Sequence, residues 1–283
     1  MSFVVMPQRS VSLSSTRRWF IKTPPTVILS LVIVLIVALW VIVPSLFTSQ
    51  SPVTAIPSDK LLSPSGSHLF GTDELGRDEL TRVIYGSRSS VLTAFAAVGI
   101  GLLIGGALGM IAGFFGGITD AVTGRGVDTL LAIPGFLLAV VIVVGLGFKT
   151  IDAAIATGIT SIAIFARIMR AETLRVRQAV FVESSYLQGG SRTFVLFCHV
   201  LPNAYRSVLA LAVLQLGNAI LVIAALAFLG YGSPPPASDW GLLISDGQQY
   251  LIAPWLVYCP AAVVVVTVLS INRISRWLRN PNN

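Results

Sequence analysis

Long apolar runs separated by short polar stretches set the pattern of this chain. The first covers about Val27 to Phe47, roughly 21 residues, enough for a tilted helix across ~30 Å of hydrocarbon. Arg9, Arg17, Arg18 and Lys22 precede it, as they would a secretory leader. Its apolar core is longer than the roughly 7–15 residues of a leader and no small-residue cleavage site closes it, so an uncleaved span is predicted. Later runs predict spans near 91–115, 127–147, 153–169, 208–231 and 251–271. The expected fold is an all-α polytopic membrane protein with six transmembrane helices, five of them forming a core over 89–272.

The interruptions carry the detail. Residues 48–88 are polar, hold Pro52, Pro57 and Pro64, and read as a connecting segment outside the bilayer. Gly101, Gly105, Gly109, Gly113 and Gly117 recur every fourth residue, a spacing that lets helix backbones approach closely. Each step of four overshoots a full turn by ~40°, so the two halves of this helix are expected to pack against different neighbours. Pro134-Gly135 predicts a kink, because proline removes a backbone donor and crowds the preceding turn. That kink either lines a pathway or is a bend taken up by packing. Arg125 and Asp128 share a helix face and are expected to pair, while Lys149 and Asp152 bracket a tight turn. Gln215 and Asn218 fall on one face of the fifth span, where they either line a path or bond to another helix.

Between the fourth and fifth spans, near 170–203, lies a region too polar to span and too long to be a turn. It reads as two short helices. Gly189-Gly190 ends the first, since glycine takes the left-handed conformation at little cost. Ser191 caps the second and Pro202 is expected to stop it. Further on, Pro234-Pro235-Pro236 forbids helix, and Trp240, Trp255 and Tyr258 suit an aromatic belt at a membrane interface.

Composition agrees: 54% of residues are hydrophobic and 11% charged, against roughly a quarter charged in a soluble domain. The net charge of +7 would suggest nucleic acid on a soluble domain, but its placement points to membrane orientation instead. Arg9 to Lys22, then Arg167, Arg170, Arg175, Arg177 and Arg192, then Arg273, Arg276 and Arg279 fall on one side of a six-span topology. The positive-inside rule puts the 1–26 tail, the central loop and the 273–283 tail in the cytoplasm, and 48–88 outside.

Chemistry motifs are missing. Gly147-Phe148-Lys149-Thr150 imitates the end of a phosphate-binding loop but has Phe where glycine must let the backbone cradle phosphate. His68 and His199 are isolated, and Cys198 and Cys259 read as packing residues. No active site, cofactor or metal site is predicted in this chain.

Two stretches carry a family resemblance. Glu183, with Gly189 six residues on and Leu201-Pro202 closing the region, resembles the coupling-loop signature of bacterial ABC importer permeases, with Ser184 and Ser185 where two alanines are usual. Gly71-Thr72-Asp73, followed by Gly76-Arg77-Asp78, resembles a run found in permeases of the dipeptide, oligopeptide and nickel importers, in the subunit type similar to the dipeptide permease C subunit. Phe228 to Gly232 and Asp239-Trp240-Gly241 resemble the same family. The basic tail departs from it, because acidic residues are common there.

The resemblance implies a permease in the bacterial inner membrane, paired with a second, similar permease. It also implies two cytoplasmic ATP-binding subunits, which hold ATP and Mg²⁺, and an extracytoplasmic substrate-binding protein. The central arginines then either help dock the ATPase or serve orientation alone. Two other readings stay open: a secondary transporter driven by an ion gradient, which would need ionisable residues deep in the spans, and a membrane scaffold without a pathway.

Overall fold

The computed structural model describes residues 24–147, 149–232 and 237–279. Arg9 to Lys22, Phe148 and the three prolines 234–236 lie outside the described residues, as do the expectations placed on them. Among the described residues the protein is helical, with one isolated antiparallel bridge, Thr72 to Asp78.

Helix α1 (Pro25–Ile42) ends sooner than its apolar run, where Pro44 opens a 3-10 turn to Leu46. Helix α2 (Glu79–Phe115) has 37 residues, about 55 Å at 1.5 Å per residue. It begins twelve positions before the predicted second span, so residues 79–88 are helix and not connecting segment. The Asp78 carboxylate caps it by accepting from Thr81 N at 2.8 Å. Hydropathy misses this start because Arg82, Ser87 and Ser90 are polar, yet all three are buried by chain that returns much later. Trp240 covers them. Its indole donates to Val83 O at 3.0 Å and its backbone N–H to Ser90 Oγ at 3.0 Å. Fully buried, Trp240 is a core residue and not part of an interfacial belt. Trp240→Phe removes the indole bond and is expected to lower stability by about 1–2 kcal/mol, read as a downward shift in thermal unfolding of the detergent-solubilised chain.

The glycine stripe also differs from expectation. A Cβ at Gly101, Gly105, Gly109 or Gly113 would meet Ser161, Ile162, Ala166 or Arg170 respectively, all on α5 (Thr150–Arg177). One neighbour uses four of the five glycines. The drift is reduced because Gly101–Gly105 is a π segment, and a π turn holds more residues than an α turn, offsetting the overshoot. A helix crossing at an angle follows the rest. Gly117 stands past the helix end with φ +59° and is not part of the contact.

The third span is broken outright. Helices α3 (Gly117–Ala132) and α4 (Gly135–Leu146) meet at 92°. Ile133 is held extended at φ −93°, ψ 131°, as a residue before proline must be. At about 18 Å, α4 cannot cross hydrocarbon alone. Arg125 does not pair with Asp128. Asp128 instead accepts from Arg167 Nη2 at 2.7 Å, and Asp120 from Arg170 Nη2 at 2.7 Å, tying α3 to α5. At the opposite end of α5 the predicted turn is present: Lys149 N–H donates to Asp152 Oδ2 at 3.0 Å.

Helix α6 (Val180–Leu187) is short, and α7 (Arg192–Tyr231) runs 40 residues. Pro202 therefore does not stop a second short helix. A π segment, Leu196–Val200, lies just before it, and Leu201 N–H bonds five residues back to Leu196 O. That re-spacing lets the helix pass a residue with no N–H to give. Asn203 Nδ2 caps the nearby His199 carbonyl at 2.6 Å. Helix α8 (Trp240–Gly247) then tucks against α7 and α9 (Trp255–Leu278). α5 sits at the centre, touching α2, α3, α4 and α7, while α1 lies outside on α2 and α9. Among the described residues five helices are long and apolar enough to cross a membrane, six spans if the bent α3–α4 pair counts as one.

Candidate functional site

Three places collect the residues singled out by sequence. The first is the α6 loop. Gly189 takes φ +87° and closes the turn, with its N–H on Tyr186 O at 3.0 Å and Gly190 N–H on Ser185 O at 2.9 Å. Ser191 Oγ accepts from Phe194 N at 3.3 Å and starts α7 as predicted. Glu183 lies in the first turn of α6, where negative charge suits the helix dipole. Val182, Val195 and Val200 are fully buried and join the main core, so the loop is clamped from beneath. Its outer side is open: Val180 is 77% and Leu187 83% exposed.

Between the two helical arms lies a groove of about 860 Å³ lined by Phe181, Ser184, Ser185, Gly189, Phe194 and His199. Leu201 and Pro202 are not part of it, being carried past it on α7. His199, isolated in the sequence, has aromatic company in the fold: its ring meets Phe181 and Phe194 edge-on at 6.3 and 5.5 Å between centroids. Only the fold brings these three rings together. Cys198, expected to pack, is exposed.

The second place is at the other end of α2. Asp73 is buried and accepts from Leu75 N (2.9 Å), Arg77 N (2.8 Å), Arg77 Nε (2.6 Å) and Arg82 Nη1 (2.7 Å). Arg77 also reaches Glu74 Oε1 at 3.0 Å, and Arg82 faces Asp246 at 3.8 Å. Burial pushes the Asp246 carboxyl above its ordinary value, against the pull of Arg82. His68 is not isolated; its Nδ1 lies 2.9 Å from Asp78 Oδ1. Thr72 Oγ1 bonds to Asp59 O and accepts from Leu62 N at 2.8 Å. Gly71 (φ +72°) and Gly76 (φ +77°) are required here, because a Cβ on Gly76 would sit 1.9 Å from Ile56 O. Trp255 Nε1 donates to Thr72 O at 3.3 Å, joining the motif to α9. All six motif residues thus belong to one buried, ion-paired knot.

The third is a cavity of about 250 Å³ at the α3–α4 break, between α5 and α7. Pro134, Gln215 and Asn218, far apart in sequence, all line it. Asn218 Nδ2 donates to Gln215 Oε1 at 2.9 Å, so the polar pair bonds within its own helix. Thr157 Oγ1, also at this wall, is buried without a hydrogen-bond partner. Among the described residues no group of His, Cys, Asp and Glu is arranged to hold a metal ion.

Residues 105–280 match the family described as binding-protein-dependent transport system inner membrane component. A dipeptide transport system permease protein of Alkalihalophilus pseudofirmus is 38% identical over 92% of this chain and 86% of its own. A probable D,D-dipeptide transport system permease of Escherichia coli is 33% identical over 98% of this chain and 93% of its own. An inward-facing methionine ABC transporter shares the fold alone, at TM-score 0.57 and 18% identity, over 71% of this chain and 98% of that one. On the length and identity of these matches, the chain belongs to the family of inner membrane components of binding-protein-dependent transport systems and is a permease subunit of the ABC importer class.

Proposed function

We propose that this permease passes peptides or related small solutes, and that its α6 loop is the surface on which partner ATPases act. The carrying observation is the two-sidedness of that loop. Its inner face is locked by fully buried valines, and its outer face offers Val180, Phe181 and Leu187 around an open groove. A part so built moves as one body with α5 and α7. Closure of docked ATPases would then swing both helices together. ATP and solute shift such an equilibrium only by their differential affinity for its two states.

In this reading Glu183, Ser184, Ser185 and Gly189 shape the docking knob, and Leu201-Pro202 sets the entry of α7. Nucleotide and Mg²⁺ stay on two cytoplasmic ATP-binding subunits. A second, similar permease completes the pathway, with Pro134, Gln215 and Asn218 facing it. The Gly71–Asp78 knot stands on the extracytoplasmic side, where a binding protein delivers solute, and both termini are cytoplasmic. Peptide cargo is favoured by the names of the relatives, among them dipeptide, oligopeptide and glutathione permeases.

Gly189→Pro tests the knob. Proline fixes φ near −65° where the chain needs +87°, and removes the N–H bonded to Tyr186. With the partner subunits co-expressed, ATP-driven uptake is expected to fall at least about tenfold, equivalent to about 1.4 kcal/mol of lost coupling. Membrane insertion should stay normal, because a Cβ added at Gly189 would meet nothing within 4 Å. Undiminished uptake would remove the loop from the mechanism.

A further inference from the structure

From the cavity at the α3–α4 break we infer a subsite that holds one uncharged backbone-type amide of the passing solute, with Gln215 and Asn218 as the residues that select it. The inference rests on the permease reading above. Its first support is a matter of hydrogen-bond arithmetic. Each primary amide carries one acceptor oxygen and a donor NH₂ group. The bond between Asn218 Nδ2 and Gln215 Oε1 uses one of each. The Gln215 NH₂ group, as donor, and the Asn218 carbonyl, as acceptor, are left wholly unused by it. Were both amides turned over, the leftover pair would again be one donor and one acceptor, so the conclusion does not depend on which way they point. One donor beside one acceptor is the complement of a peptide C=O and N–H.

The second support is independent. Thr157 is 2% exposed, and its Oγ1 has no partner although it stands at the same cavity. A buried hydroxyl left unmet costs about 1–3 kcal/mol, a cost that a bound solute group would relieve. Its neighbours do not compete for the role, because Thr160 and Ser161 already donate to the Thr157 carbonyl at 2.8 and 2.9 Å.

Charge supplies the third. The residues lining the cavity include no Asp, Glu, Lys or Arg. An ion would enter it without a counter-charge, at a large desolvation cost, whereas a neutral amide exchanges water bonds for protein bonds. Gln215 is buried and Asn218 exposed at the cavity mouth, so the pair reaches from the surface inward. An exposed amide on a membrane-spanning helix needs protein, water or cargo against it.

The test measures protection in the full importer complex. Cys198→Ser and Cys259→Ala remove the native thiols, and Thr160→Cys places a new one in the cavity wall. Labelling by a small methanethiosulfonate is timed with N-methylacetamide, which is uncharged and bears a single amide, and with methyl acetate, its ester isostere, which has no N–H. The amide is expected to protect at about tenfold lower concentration than the ester, the factor one net hydrogen bond supplies. Gln215→Leu with Asn218→Leu should erase that difference. Gln215→Asn, which keeps one donor and one acceptor, should retain part of it and shows that loss is not misfolding. Equal protection by both molecules, no protection by either, or a Thr160→Cys thiol that never reacts would each overturn the subsite. Co-purification with the ATPases, read on the same samples, separates that failure from failure of the permease assignment.

Discussion

Gly109→Leu is expected to abolish recovery of folded, monodisperse protein from the membrane, and Gly105→Leu to do nearly the same. A Cβ on Gly109 would lie 2.2 Å from Ala166 O and 2.9 Å from Arg170 N; at Gly105 it would lie 2.3 Å from Ile162 O. These are backbone atoms of the central helix α5, which no rotamer change can move aside. Relief requires separating α2 from α5, and α5 also carries the contacts to α3, α4 and α7. Overpacking of a core costs about 1–3 kcal/mol or more, a large share of the roughly 5–15 kcal/mol that holds a protein folded. Gly126→Ala is the matched control. Nothing lies within 4 Å of that position on α3, and alanine should add up to about 1 kcal/mol of helix stability. Size-exclusion profiles and thermal unfolding of the three variants decide the matter. A Gly109→Leu protein that elutes and melts like the parent would show that α2 and α5 are not in contact.

Asp73→Ala is the second large effect. It removes the acceptor of four hydrogen bonds and leaves Arg77 and Arg82 buried without their main counter-charge. Breaking a buried pair by deleting one partner costs about 3–5 kcal/mol. Glu79 cannot replace it. Although buried, Glu79 has no hydrogen bond to either carboxylate oxygen and stands 3.8 Å from Arg82 Nη1. The knot also holds Trp255 through Thr72 and α8 through Asp246, so its loss should loosen the start of α9 as well. Hydrogen exchange is expected to rise across 56–82 and 246–258 together, with a lower melting temperature. Exchange confined to 71–78, with stability unchanged, would mean that the motif is a solvated loop.

Much of the architecture was legible because a bilayer imposes simple rules. Stretches long and apolar enough to span it announce themselves, and glycine and proline mark turns and breaks locally. That is how the α6 turn at Gly189, the Ser191 cap and the break at Pro134 came out of the residues alone. The misreadings share a different cause. Residues 79–88 include Glu79, Arg82 and Ser87, yet these are buried in a helix to which Ser238 and Trp240, more than 150 positions away, bond. Pro202 did not end a helix because a π segment before it re-spaced the bonds. Asp128 pairs not with Arg125 on its own helix but with Arg167 on α5.

Sequence by itself determined the membrane class, the helical content, the turn at Gly189 and the break at Pro134, and the two motifs that carry the family resemblance. Tertiary structure decided which glycines meet which helix, that the Gly71–Asp78 residues form a buried knot, and that Pro134, Gln215 and Asn218 share one cavity. The physical reason is range. Hydropathy and backbone preference act over a few residues, within one turn or one crossing of the bilayer. Contacts between side chains tens of positions apart depend on how completed helices pack, and that is settled only when all of them are in place.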